Sequence, residues 1–172
     1  MENLIISTLG QGLLWSLLAI GVFITFRVLD IADLTVEGSF PLGAAISATL
    51  IVDGVNPIVS IVVAAIGGML AGAITGWIHT KLKIPALLAG ILTMIALYSI
   101  NLRVMGKANV SLLRLDTVYT YLEHLSVLHT IALLLIGLVV AVATCILLFW
   151  FFGTEIGACL RATGVNPQMI RA

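Results

Sequence analysis

Arg27, Asp30, Asp33 and Glu37 fall within eleven positions of an otherwise lipid-like sequence. A carboxylate at the centre of a lipid-facing helix costs about 3 kcal/mol, so these three acids belong at an interface or inside the protein. Asp33 and Glu37 are four residues apart and share a face if the stretch is helical. Two roles suit that pair: capping or solvating a helix start, which acids favour, or holding a membrane segment beside a solute path. Gly38, Pro41 and Gly43 follow directly, before an apolar run that ends at Val52 and is short for a crossing of about 20 residues. A short membrane segment interrupted by glycine and proline predicts a broken or re-entrant helix whose freed backbone groups are buried in protein. Asp33, Glu37, Gly38, Pro41 and Gly43 are therefore the candidate residues of a translocation path or of its support.

Other chemistry finds no residues to carry it. His79, His124 and His129 are scattered over two connectors and a helix start, with no HExxH spacing and no placeable Ser/His/Asp grouping. Cys145 lies in an apolar run and Cys159 beyond it, which gives neither a disulfide framework nor a metal pair. No catalytic residue, metal site or cofactor is assigned. The chain also lacks GxxxxGK[ST], so if nucleotide powers its work, another chain hydrolyses it.

These residues must be positioned by membrane helices. Hydrophobic residues make up 61% of the sequence and charged residues 9%, against roughly 25% in an ordinary soluble domain. That is too little charge for a wet exterior. Eight basic residues balance eight acidic ones, and no basic stretch recommends nucleic acid. The long unbroken apolar runs exclude the alternating ten-residue segments of a membrane β-barrel. The fold class is an all-α polytopic membrane bundle, with spans expected at about 4–26, 40–52 (short or broken), 57–78, 84–101 and 127–152, followed by a tail, 153–172. The first run has no basic n-region or cleavage site, and reads as a retained helix. Asp53-Gly54 and Asn56-Pro57 mark a turn, with Pro57 at a helix start.

Ala64, Gly68, Gly72 and Gly76 step by four along the third span, a small-residue face expected to pack against another helix. Gly137, Ala141 and Cys145 repeat the spacing in the last span. In the tail, a short surface helix is expected to end at Gly164, and the chain reads as the front part of a longer protein. If the tail is cytoplasmic, Arg27, Lys81, Lys83, Arg161 and Arg171 share its side, a weak positive-inside bias.

Two stretches resemble a known family. Ala32 to Ala45, ADLTVEGSFPLGAA, is similar to the N-terminal signature of permease subunits of branched-chain amino-acid-type ABC importers, closest to a tryptophan/tyrosine subgroup with uncharacterised substrates. Common amino-acid members read more like NFAHGEFYMLGA, a departure that touches substrate more than mechanism. In the tail, Gly157, Arg161, Ala162, Gly164 and Asn166 match the family's cytoplasmic coupling pattern. The resemblance implies an inner-membrane, multi-pass, non-enzymatic permease for an amino acid or related small-molecule substrate. It also implies a second permease copy, separate ABC ATPase subunits and an external substrate-binding protein as partners. Without it, the residues alone leave a transporter component or a small-residue-rich structural or assembly subunit of the lipid bilayer.

Overall fold

In the computed structural model, the described residues are 2–112, 115–118, 120 and 129–165. They form six α-helices: α1 (Glu2–Phe23), α2 (Thr35–Val52), α3 (Pro57–Leu82), α4 (Ala86–Met105), α5 (His129–Gly153) and α6 (Glu155–Val165). A π-helical turn, Ile24–Val28, continues α1. Five of these segments are long and apolar enough to cross a membrane, all but α6. The large apolar side chains that face outward, among them Met69, Leu70, Trp77, Leu92 and Ile95, are those a bilayer solvates.

The chain divides into two compact units, Met1–Ala32 with Leu125–Ala172, and Asp33–His124. In the second, α2 packs against both α3 and α4. Asp53 and Gly54, the latter at φ +82°, close the tight turn between α2 and α3. The Asn56 side chain accepts from Ile58 N–H at 2.9 Å and Pro57 opens α3, as the Asn-Pro pair predicts. Contacts between Gly38 and Met94, and between Thr49 Oγ1 and the Val104 carbonyl, show that α2 and α4 run parallel.

The interior of this unit is made of small residues. Leu42, Ala71 and Leu97 form its apolar centre with Ile46 against them, and Ala45, Ala64 and Ala89 are also buried. Ser60, Thr75 and Thr93 are buried too, each donating its hydroxyl to the carbonyl four residues back. That local bond removes the cost of burying an unpaired hydroxyl and lets small polar residues serve as spacers between helices.

The buried face of α3 runs through Ser60, Ala64, Ala71 and Thr75. This corrects the expected packing ladder. Only Ala64 lies on it, whereas Gly68 is half-buried, Gly72 and Gly76 are exposed, and a β-carbon at any of these three would meet nothing within 4 Å among the described residues. Four-residue steps drift around a helix of 3.6 residues per turn, so the ladder leaves the contact line by its second member.

The expected break in the second span is also absent. α2 is continuous over 18 residues with Pro41 inside it. Its start lies five residues before the predicted 40, because the Asp33 carboxylate accepts from Thr35 N–H at 2.9 Å and so satisfies an N-terminal donor that would otherwise face lipid. Eighteen residues rise about 27 Å, close to the hydrocarbon thickness of about 30 Å. The irregular backbone falls before it instead, at the π-helical turn and at Asp30, which sits at φ +52°.

In the first unit, α1 packs on α5 through two glycines. A β-carbon on Gly10 would stand 3.0 Å from the Leu134 nitrogen, and one on Gly137 would stand 3.0 Å from the Gly10 carbonyl oxygen. Gly137 thus belongs to a close crossing, while Cys145, two steps along the same row, is exposed.

Candidate functional site

Asp33 and Thr35 seat the start of α2 against both neighbouring helices. Its Oδ1 accepts from Thr35 N–H at 2.9 Å and from Thr35 Oγ1 at 2.5 Å, and Thr35 Oγ1 hydrogen-bonds Thr75 Oγ1 of α3 at 2.9 Å. Thr35 is 3% exposed and Thr75 4%, so the bond between α2 and α3 is made away from solvent. On the other side stands Gly90 of α4, where a β-carbon would be 2.8 Å from Asp33 Oδ1 and 2.8 Å from Leu34 N. Only a residue without a side chain admits the capped turn there.

One turn further, α2 and α4 border a cavity of about 330 Å³ lined by Glu37, Gly38, Pro41, Met94, Tyr98 and Asn101. A β-carbon on Gly38 would lie 3.0 Å from the Met94 Cα, so the backbones nearly touch and the cavity opens beside that contact. A neighbouring cavity of about 390 Å³ shares Pro41, Tyr98 and Asn101. The walls are apolar except at three points. Glu37 is exposed, the Tyr98 ring is exposed, and Asn101 is 6% exposed with its Oδ1 unpartnered among the described residues. A buried amide oxygen without a donor typically costs about 1–3 kcal/mol, and among the described residues Asn101 is the buried side chain that keeps an atom without a partner. Pro41 adds to the same deficit, having no N–H to give the Glu37 carbonyl four residues back.

Of the candidate path residues, the structure therefore gathers Glu37, Gly38 and Pro41 on one cavity. Asp33 is a cap, and Gly43 faces the Ala64 carbonyl of α3 at 4.0 Å from its would-be β-carbon. Sequence reasoning missed Tyr98, Asn101 and Gly90. Asn101 is legible in the sequence only as the end of the fourth span, although Met94, Tyr98 and Asn101 repeat at helical spacing on one face.

The tail also has defined geometry. Thr154 caps α6, accepting from Gly157 N–H at 3.3 Å and donating to the Phe151 carbonyl at 2.6 Å. Arg161 donates from Nη2 to the Phe152 carbonyl at 2.9 Å, reaching back to the end of α5, where carbonyls have no partner within the helix. A β-carbon on Gly157 would collide with the Phe151 carbonyl, and one on Gly164 with the Val28 carbonyl. Gly164 does not end the helix, contrary to expectation. α6 continues through it to Val165, and the glycine serves a close approach to the last turn of the first span. Ala162 is exposed, and Asn166 lies outside the described residues.

The chain belongs to the branched-chain amino acid transport system / permease component family, which it matches over residues 4–172. It is 39% identical over 168 residues to the tyrosine transport system permease protein of Clostridioides difficile (strain R20291), covering 98% of this chain and 54% of that protein. It is 35% identical over 168 residues to an uncharacterized protein of Rickettsia prowazekii (strain Madrid E), covering 98% of this chain and 57% of that protein. The chain thus spans about half the length of the curated relatives it matches. No solved structure matches it. The all-α, multi-pass architecture and the permease family agree with the resemblance carried by Ala32 to Ala45 and the tail motif.

Proposed function

We propose that this chain is the membrane-spanning permease part of an ATP-driven importer in the inner (cytoplasmic) membrane, moving an amino acid or related small solute delivered by an external binding protein. The observation that carries the reading is the family match over nearly the whole chain. The relative named for tyrosine transport supports an amino-acid substrate, and the missing phosphate-binding motif supports hydrolysis by separate ATPase subunits. A second permease copy completes the path. The small-residue interior lets helix backbones approach closely, as at Gly38 on Met94, the kind of packing that membrane helices use in place of a bulky core.

α6 is the segment that docks the ATPase. It is a short helix after a full-length span, with Glu155, Ile156, Ala158, Cys159, Arg161 and Ala162 exposed. Affinity purification of the full-length protein from its native membrane is expected to bring down an ATPase subunit in stable proportion. Recovery of the permease without any nucleotide-hydrolysing partner, under conditions that preserve the membrane complex, speaks for a structural subunit instead.

A further inference from the structure

Resting on the reading that two permease copies form one importer, we propose that the face of α1 carrying Thr8, Gln11 and Gly12 is where this chain meets its second copy, through a hydrogen-bonded pair of Gln11 amides. Gln11 lies inside the span Leu4–Val28. With Arg27 at a membrane surface, the roughly 20 residues before it fill the hydrocarbon, and Gln11 is among them. Thr8 and Ser16, the polar side chains beside it, donate to carbonyls of α1 itself, at 2.8 and 2.5 Å. No described group hydrogen-bonds Gln11, which is exposed. A primary amide has two donor hydrogens and an acceptor oxygen, and lipid tails satisfy none of them.

The position of the amide on the helix points to a neighbour outside the described helices. Gly10 and Leu13 pack on α5, and at about 100° per residue Thr8, Gln11 and Gly12 fall on the opposite side of α1. Thr8 and Gly12 are four apart, and a β-carbon on Gly12 would meet nothing within 4 Å among the described residues. Two small residues at that step let a second helix come close enough for the amide to reach it. A copy related by a two-fold axis along the membrane normal presents its own Gln11 at the same depth. The amide is its own complement there, since each oxygen accepts from the other's N–H. The described spans hold one further primary amide, Asn101, and it is buried in its own unit, so the second copy supplies the partner that these helices do not.

A residue near a two-fold axis meets its own copy, so one cysteine per chain reports the contact. The test uses the full-length permease with its ATPase in membranes, every native cysteine replaced, Cys145→Ala and Cys159→Ala included, and copper phenanthroline as oxidant. Thr8→Cys and Gly12→Cys are expected to give a disulfide-linked permease pair, and Leu13→Cys, on the α5 side, is expected to give none. Association is also followed without cysteines, as energy transfer between donor- and acceptor-labelled permease in proteoliposomes of falling protein-to-lipid ratio. Gln11→Leu, which leaves the span more apolar and its insertion undisturbed, is expected to weaken association by about tenfold, whereas Gln11→Asn retains it. No disulfide at Thr8→Cys or Gly12→Cys, an equal yield at Leu13→Cys, or unchanged association of Gln11→Leu would each overturn the proposal. So would fast labelling of Gln11→Cys by a membrane-impermeant maleimide, which makes this face a water-filled path. Uptake of labelled amino acids by the unsubstituted transporter separates the two claims. ATP-dependent uptake without the α1 contact removes this interface alone, while the contact without uptake keeps the interface and removes the importer.

Discussion

The backbone at Gly38 approaches the backbone at Met94 so closely that a β-carbon on the glycine would lie 3.0 Å from the Met94 Cα. Gly38→Leu must push α2 and α4 apart, because on the far side of the contact Leu97 leaves no free direction, its Cδ1 standing 3.1 Å from the same β-carbon. Overpacking of this kind costs about 1–3 kcal/mol. The substituted full-length protein in detergent is expected to lose its native gel-filtration peak at a lower temperature than the parent, and an unchanged midpoint would place the two helices further apart than described.

Asp33→Ala removes the acceptor for Thr35 N–H and for the Thr35 hydroxyl, and leaves that hydroxyl only its bond to Thr75. Loss of such a cap costs about 1 kcal/mol, more where the freed N–H stays buried. Asp33→Asn keeps an acceptor oxygen and is expected to fall between Ala and the parent in thermal stability. Equal stability of all three would make Asp33 a solvated surface acid.

Ala71 and Gly72 are neighbours in sequence and opposites in environment. Ala71 is 2% exposed at the centre of the unit, whereas a β-carbon on Gly72 meets nothing within 4 Å among the described residues. Ala71→Leu is expected to cost about 1–3 kcal/mol in the isolated permease, and Gly72→Leu nothing measurable there. Thermal unfolding of the two variants in detergent checks the order, and the reverse order would restore the four-step ladder as the packing face.

Gly164→Val places a branched side chain against the Val28 carbonyl and is expected to dislodge α6 from the end of the first span. Trypsin cleavage after Arg161 should then accelerate several-fold while membrane insertion stays normal. Arg161→Lys alone is a poorer probe of ATPase docking than its motif suggests, because Arg161 already donates to the Phe152 carbonyl within the chain. Exposed Ala158 and Ala162 are better crosslinking positions. Unchanged cleavage in Gly164→Val would show that the glycine contact does not hold α6.

Much of the fold is legible in the sequence because lipid imposes one-dimensional rules. Apolar run length marks five spans, and the turn at Asp53-Gly54 and the start at Pro57 follow from local backbone chemistry. The errors share a cause. Pro41 reads as a break because the stabilising cap lies eight residues earlier at Asp33, and Gly164 as a stop because its partner, Val28, is 136 positions away. In the same way, the packing face of α3 depends on where α2 lies, which four-residue periodicity does not encode. Asp33, Glu37 and Pro41 stand out through their type, but Asn101 acquires meaning only from the tertiary contact that buries it.

The central claim is ATP-driven import through this permease, and uptake of labelled amino acid into proteoliposomes under separated driving forces tests it most directly. Full-length permease, its ATPase and its binding protein are reconstituted, and uptake is compared with ATP supplied to the ATPase face, with a proton or sodium gradient alone, and with neither. The account predicts accumulation only with ATP and binding protein together. Accumulation driven by an ion gradient without ATP would contradict it.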